Sequence, residues 1–284
     1  MAKERVGILG LGLIGGSLAL ALSGKRGAPE VWGSDRRKEH VRKALRAGAI
    51  AKGCAARELA ECDVVVVCVP VLGSVEAIRA LGPRMRPGTV LTDAGSVKTR
   101  IVREGERAVA RDAFFVGGHP IAGTESSGFS AADAGLFRGR TFIVTPTEKT
   151  DEGALLRVQG IWKLAGAAPL LRMDPRTHDR IFAYVSHLPH VVAYALVHSV
   201  ATLPSSVPLG YSAGGFRDFT RIASSNPEMW KDIVLQNRYE VLRAIAHYRR
   251  NLRLLERRIA AGDVPGLLAY FRRAKKTRDG LRTP

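Results

Sequence analysis

The stretch VGILGLGLIGGSLALAL at residues 6–22, followed by VWGSD at residues 31–35, decides the fold of this chain. An apolar run ends at Leu9, Gly10, Gly12 and Gly15 fall at the spacing G-x-G-x-x-G, and a helical pattern begins at once. In a strand–turn–helix unit each glycine has its own task. Gly10 permits the tight turn, Gly12 lets the backbone approach a pyrophosphate, and Gly15 lets the helix pack closely on the strand. The helix start, at Leu13 and Ile14, supplies unpaired N–H groups and the partial positive charge of the helix dipole. Asp35 lies 20 residues beyond Gly15, just after a second strand. A carboxylate there accepts from both ribose hydroxyls and repels a 2′-phosphate, so the opening reads as a site for NAD. Arg36, with Arg37 beside it, is placed to hold such a phosphate and keeps NADP open.

The first half of the chain goes on alternating apolar runs with helical patterns, the signature of a parallel sheet with crossover helices. Strands are expected at residues 6–9, 31–33, 64–69, 90–92, 114–116 and 141–144. The β-branched run at 64–69, flanked by Asp63 and Pro70, suits a central strand buried on both faces. A helix near 154–165 and a last strand around 170–172 complete the expected sheet. After Asp174 and Pro175 the pattern is helical with no clear strand. The fold class is therefore α/β, a doubly wound sheet over residues 1–173 followed by an all-helical domain over 174–284. In the second domain Asn226-Pro227 has the form of an N-cap with proline at the first helical position, opening a helix that runs to about Ala261 and stops at Gly262. Within it Val241, Ile245, Tyr248, Leu252, Leu255 and Ile259 recur at spacings of four and three, a heptad seam. A helical homodimer interface accounts for the seam, and so does an ordinary buried core helix.

Composition narrows the function classes. A chain of 284 residues with 46% hydrophobic content exceeds one ordinary core and has enough apolar material for two domains. Net charge is +18, and about half of it lies in residues 238–284, which hold 13 Lys/Arg against 4 Asp/Glu. These charges share helices with the apolar stripe, so they read as a solvated basic face that steers small anions, not as a nucleic-acid surface. An NAD-binding regulator without turnover is the alternative that the basic face would support. The uncharged stretch 6–24 could pass for a signal peptide or membrane span. Its glycines weaken a free helix by up to about 1 kcal/mol each and no small-residue cleavage site follows, so no membrane partner is expected. Cys54, Cys62 and Cys68 are odd in number and match no metal spacing with histidine, which points to a reducing, cytoplasmic setting.

Two further motifs end expected strands: DAGSVK at 93–98 and HPIAGTE at 119–125. Strand C-terminal ends face the ligand crevice of a doubly wound sheet, so Ser96 and His119 converge on one pocket. A neutral imidazole beside an alcohol is the usual base where a hydroxyl proton must leave as hydride departs.

Taken in order, DAGSVK (93–98), GGHPIAGTESSG (117–128), HDRIFAYVSHLPH (178–190) and GGFRDFTRIASSNPEMW (214–230) resemble the prephenate dehydrogenase family over nearly the whole chain. The resemblance implies a Rossmann-type domain followed by a helical dimerisation domain, hence a homodimer. It also implies NAD(P)-dependent oxidative decarboxylation of prephenate to 4-hydroxyphenylpyruvate for tyrosine synthesis; some relatives prefer arogenate. His119 matches the catalytic histidine that hydrogen-bonds the ring C4 hydroxyl, and Ser96 matches its partner serine. Arg221 matches the substrate-carboxylate arginine, where a planar guanidinium suits bidentate recognition. His190, with Ser186 and His187, falls on the substrate-side helix, which Pro189 is expected to kink toward the pocket. Thr124, Glu125 and Trp230 are pocket candidates. Aromatisation drives the loss of carbon dioxide, and the His187/His190 pair has no evident third ligand, so no metal is expected. A β-hydroxyacid-type dehydrogenase would carry a catalytic lysine in its helical domain instead. The chain leaves no room for the regulatory domain that some family members append, so inhibition by tyrosine through such a domain is not expected, while competition at the active site stays open.

Overall fold

In the computed structural model, residues 3–25, 27–124, 126–203 and 212–281 are described. Its first part is a six-stranded, wholly parallel sheet of β1 (Arg5–Leu9), β2 (Glu30–Ser34), β3 (Lys52–Gly53), β4 (Val64–Val67), β5 (Val90–Asp93) and β6 (Phe114–Val116). The strand order β3-β2-β1-β4-β5-β6 is that of a doubly wound dinucleotide-binding sheet. Helices α1 (Leu13–Leu22), α2 (Lys38–Arg46), α3 (Val71–Leu81) and α4 (Thr99–Ala108) lie in the connections. The four valines of β4 are fully buried between β1 and β5, which explains their uninterrupted apolar run. The order reverses between β1 and β4, and the ligand crevice opens there.

The expected completion of that sheet does not occur. Beyond β6 the chain enters a separate three-stranded sheet of β7 (Gly118–Pro120), β8 (Phe142–Val144) and β9 (Leu170–Arg172), with β7 antiparallel to β8 and β8 parallel to β9. Close backbone approach at Gly117 and Gly118 makes the turn possible. A Cβ at Gly117 would lie 2.4 Å from Thr145 Oγ1, and one at Gly118 would lie 2.8 Å from the Asp93 carbonyl. His119 therefore sits on a strand crossing the end of β5, where a loop was expected. Helix α5 (Glu152–Leu164), capped by Asp151, joins β8 to β9 and buries Leu155, Val158 and Trp162; Phe142 stacks on Trp162 at 4.5 Å.

From Asp174 onward every described element is helical: α6 (Pro175–Phe182), α7 (Leu188–Ala201), α8 (Gly214–Thr220), α9 (Pro227–Gln236), α10 (Arg238–Ala260) and α11 (Val264–Asp279), with short 3₁₀ and π turns between some of them. Asp174 caps α6 by accepting from Thr177 N at 2.8 Å, with Pro175 at the first position. Between α6 and α7 the helix widens into a π turn at Ala183–His187, and Pro189, the residue expected to kink this helix, follows in the first turn of α7. The single helix expected over 227–261 is two. Asn226 caps α9 as anticipated, but Asn237 breaks the run before α10. Its buried amide donates to the Asp179 carbonyl at 2.8 Å and meets His187 Nδ1 at 3.1 Å, which offsets the interrupted helix.

Trp230 and Ile233 of α9 join the core formed by β4, β5 and α3, so the helical domain is seated on the sheet domain by apolar contact. A smaller core of Ala183, Val241 and Ala244 holds α10. Further along α10 the heptad seam emerges from the protomer: Ile245 and Leu255 are half-buried, and Tyr248, Leu252 and Ile259 are exposed.

Asn237→Ala removes both buried hydrogen bonds and leaves His187 Nδ1 without its partner. At fixed protein concentration it is expected to lower the urea midpoint with unchanged m-value, corresponding to about 1–3 kcal/mol; an unchanged midpoint would contradict this account of the helix break.

Candidate active site

The three glycines of the loop meet three different surroundings. Gly10 has φ +94°, and a Cβ there would lie 2.6 Å from the Cys68 carbonyl, so no side chain fits the turn. A Cβ at Gly15 would lie 1.9 Å from the Gly10 carbonyl, which sets how tightly α1 packs on the turn. At Gly12 nothing lies within 4 Å of a Cβ; its open side is the approach to the N-terminus of α1, which has no capping side chain. Leu13 and Ile14 form the first turn of that helix. Asp35 Oδ2 accepts from Leu11 N at 2.7 Å and sits 3.2 Å from His40 Nδ1, while Oδ1 accepts from Arg37 N at 2.8 Å. The carboxylate thus stitches the glycine loop to the end of β2. Beside it lies a cavity of about 890 Å³ lined by Leu9, Ser34, Asp35, Arg36, Cys54 and Ala55 among others. An uncapped helix start, an open glycine and a carboxylate at a roomy cavity are the parts a dinucleotide requires.

At the neighbouring strand ends a line of hydrogen bonds runs from His119 into the helical domain. His119 Nδ1 lies 2.8 Å from His178 Nε2, and His178 Nδ1 lies 2.9 Å from Asp179 Oδ1. Asp179 also accepts from Lys98 N through Oδ1 and from Thr99 N through Oδ2, each at 2.8 Å. Phe182 stacks on His178 at 4.4 Å and packs against His119 at 5.0 Å. Under β7 the fully buried Lys98 ammonium pairs with Asp93 and donates to the Gly118 carbonyl at 2.6 Å. Asp93 accepts in turn from Gly95 N at 2.8 Å and Gly118 N at 3.2 Å. The loop that carries the half-buried Ser96 is therefore pinned at both ends and strapped to the strand bearing His119.

These surroundings set the protonation states. Burial holds His119 well below the ordinary imidazole value, and His178, Lys98 and His187 push in the same direction. Burial likewise lowers His178 against the pull of Asp179, and takes His187 down to about 4. For Asp179 burial alone would raise the value, but hydrogen bonds from His178, Thr99 and Lys98 outweigh it and leave the carboxylate below its usual range. At neutral pH the line therefore reads neutral His119, neutral His178, ionised Asp179.

The remaining sequence candidates fall around this line. His190 on α7 bonds the Ser186 carbonyl through Nδ1 at 2.9 Å and stacks on Trp230 at 3.6 Å. His187 Nε2 and Trp230 Nε1 are buried without a hydrogen-bond partner among the described residues, which marks polar capacity in the wall between α7 and α9. Arg221 opens the 3₁₀ turn Arg221–Ser224, which packs against α7. Thr124 lies on the exposed loop after β7, its hydroxyl accepting from Ser126 N at 3.3 Å, and Glu125 falls outside the described residues. Sequence reasoning missed roles for Asp93, Lys98, His178, Asp179 and Asn237. The first four stand inside the quoted motifs, where adjacent ionisable residues in otherwise apolar surroundings were the available signal.

A doubly wound nucleotide-binding sheet whose helical second domain closes on a neutral histidine at the crevice defines a two-domain, nucleotide-dependent oxidoreductase. Two family models match the chain: "Prephenate dehydrogenase, nucleotide-binding domain" over residues 18–170 and "Prephenate dehydrogenase, dimerization domain" over residues 174–273. A prephenate dehydrogenase of Bacillus subtilis is 35% identical, covering 98% of this chain and 76% of the relative. A cyclohexadienyl dehydrogenase of Zymomonas mobilis is 36% identical over 99% of this chain and 97% of the relative. The solved prephenate dehydrogenase of A. aeolicus, in complex with hydroxyphenyl propionate and NAD+, superposes with TM-score 0.90 at 37% identity and covers 98% of each chain. The chain belongs to the prephenate dehydrogenase family.

Gly12→Ala is expected to keep the parent's melting temperature and weaken NADH binding, read by fluorescence titration, because its Cβ enters only open space. Gly15→Ala is expected to lose the folded state through its clash with the Gly10 carbonyl. The reverse pattern would contradict the assigned roles. The depressed histidines make a second expectation. Below about pH 6.5, and down to about pH 4 for His187, the unfolded chain binds protons that His119, His178 and His187 resist in the fold, so stability falls with falling pH. The slope reaches at most about 1.4 kcal/mol per pH unit for each histidine. Equilibrium denaturation at several pH values checks it, and stability that is flat from pH 7 to pH 4.5 would contradict it.

Proposed function

We propose that this protein oxidises prephenate with NAD and releases carbon dioxide, giving 4-hydroxyphenylpyruvate. The observation that carries the reading is a neutral, half-buried His119 at the strand ends beside the glycine loop. Bound NAD supplies the acceptor for the hydride that leaves ring C4. Oxidation of C4 requires its hydroxyl proton to leave, and His119 accepts it. Burial, reinforced by His178 and Lys98, keeps the imidazole deprotonated until that moment. The ring ketone then draws electrons from the departing carboxylate through the conjugated ring, aromatisation drives the decarboxylation without a metal, and the resulting phenolate takes a proton back from His119.

Ser96 supports the same hydroxyl, and Arg221 holds a substrate carboxylate by a bidentate contact. His190, Ser186, Trp230, Thr124 and Glu125 shape the substrate side. Gly10, Gly12, Leu13, Ile14, Gly15 and Asp35 hold the dinucleotide, with Arg36 at the edge of its cavity. Asp35 favours NAD over NADP by repelling a 2′-phosphate. The functional division falls between residues 1–173 and 174–284, supported by the Asp174 cap that starts α6.

The working form is a homodimer joined through the helical domain. The exposed Tyr248, Leu252 and Ile259 support this, as does the description of the matching domain model. The helical run Pro175–Ala201 is long and apolar enough to cross a membrane by length and composition. We read it as the wall of the site, because it carries the buried His178, Asp179 and His187. Free thiols at Cys54, Cys62 and Cys68 support a cytoplasmic setting, and no nucleic-acid partner is part of the reading. Acceptance of arogenate is a second reading, favoured by the similarity to the Zymomonas cyclohexadienyl dehydrogenase.

Steady-state kinetics with prephenate and arogenate, each with NAD and NADP, test the reading. The highest kcat/KM is expected for prephenate with NAD, and a large preference for arogenate or NADP would overturn the corresponding half. His119→Asn is expected to lower kcat by roughly 10²–10⁴-fold with cofactor affinity unchanged. Arg221→Ala is expected to raise the prephenate KM strongly and to spare NAD binding.

A further inference from the structure

Resting on the proposed role of His119 as base, we infer that His178 and Asp179 form a positioning dyad that fixes the tautomer of His119, protonated at Nδ1 with its lone pair on Nε2. Asp179 is ionised and can only accept; it already takes the N–H groups of Lys98 and Thr99, and His178 Nδ1 stands 2.9 Å from its Oδ1. His178 Nδ1 must therefore carry the proton. In a neutral imidazole that leaves Nε2 as an acceptor. The only ring atom of His119 within hydrogen-bond reach of it is Nδ1, at 2.8 Å. Two acceptors cannot share that distance, so His119 carries its proton at Nδ1 and presents an unprotonated Nε2 on its other side.

The groups around the line reinforce this order of protons. Lys98 and Asp93 lie beneath β7, Asp179 closes the far end, and His187 stands behind with its Nδ1 held by Asn237. Phe182 covers both imidazoles and excludes competing donors. None of these offers His119 Nδ1 another acceptor, so an unlocked ring would exchange tautomers and spend part of its time with the wrong nitrogen facing the substrate. The dyad also acts during the reaction. When Nε2 takes the hydroxyl proton, the O–H bond breaks, an N–H bond forms, and His119 becomes an imidazolium. Its Nδ1–H then becomes a charge-assisted donor to His178. That bond is stronger in the charged state than in the ground state, which is what lowers a barrier. Neither His178 nor Asp179 needs to touch substrate or cofactor.

The test separates this dyad from the substrate assignment. In histidine-¹⁵N-labelled enzyme without ligands at pH 7.5, the His119 resonances, assigned by their absence in His119→Asn, are expected to show Nδ1 protonated and Nε2 bare. His178→Phe keeps the stack on Phe182 and removes the acceptor. It is expected to give a mixed tautomer signal and a kcat roughly 10–100-fold lower, with prephenate KM and NADH affinity unchanged. His178→Gln restores an acceptor for Nδ1–H and is expected to recover the Nδ1-protonated signal and part of the lost kcat. A wild-type His119 protonated at Nε2 would overturn the inference, as would a His178→Phe enzyme with the parent's kcat. So would a loss confined to KM. An Nδ1-protonated His119 in an enzyme that fails to oxidise prephenate would uphold the dyad and overturn the proposed substrate alone.

Discussion

A buried carboxylate from one domain closes the N-terminus of a helix in the other, and the rest of the site depends on it. Asp179 belongs to α6, yet both of its oxygens accept backbone N–H groups at the start of α4, Lys98 N and Thr99 N. Helix α4 has no capping side chain of its own, so Asp179 satisfies its orphan donors and meets the positive end of its dipole. Hydrogen bonds to a charged group contribute about 1.5–3 kcal/mol each, which makes this contact a strong polar tie between the domains. It sets where α6 lies, and α6 carries His178 and Phe182 onto His119.

A buried charge pair then sits where an active base must stay neutral. Lys98 and Asp93 are both fully buried, and desolvation of such a pair is tolerable only when further hydrogen bonds accompany the charge contact. Asp93 takes Gly95 N and Gly118 N, and Lys98 gives to the Gly118 carbonyl. The pair anchors two separate pieces of chain, the loop of Ser96 and the strand of His119, and places a positive charge where it discourages protonation of the imidazole before substrate arrives. The pair thus adds to what burial and His178 already do to keep His119 neutral.

Much of this was legible before any coordinates. The glycine spacing and Asp35 specified the crevice because each glycine answers a local steric demand. The valine run at 64–67 specified the central strand because burial on both faces leaves no polar position. What was not legible depended on contacts between distant segments. The strand at 170–172 looks the same whether it pairs with β6 or with β8, and only the close approach at Gly117 and Gly118 decides. Asn237 reads as an ordinary helix residue until its amide finds the Asp179 carbonyl, a partner 58 positions away. His178 and Asp179 were visible as neighbours in a motif, but that one caps a foreign helix and the other faces His119 is a property of how the domains meet.

The chemistry depends on a single direction in space, that of the free nitrogen of His119. A crystal structure of the protein with NAD and 4-hydroxyphenylpyruvate measures it directly. The product's ring hydroxyl is expected within about 2.6–3.2 Å of His119 Nε2, with Nδ1 still bonded to His178 and the ring C4 facing the nicotinamide. A product hydroxyl held by another residue, or His119 turned to meet it through Nδ1, would contradict the account.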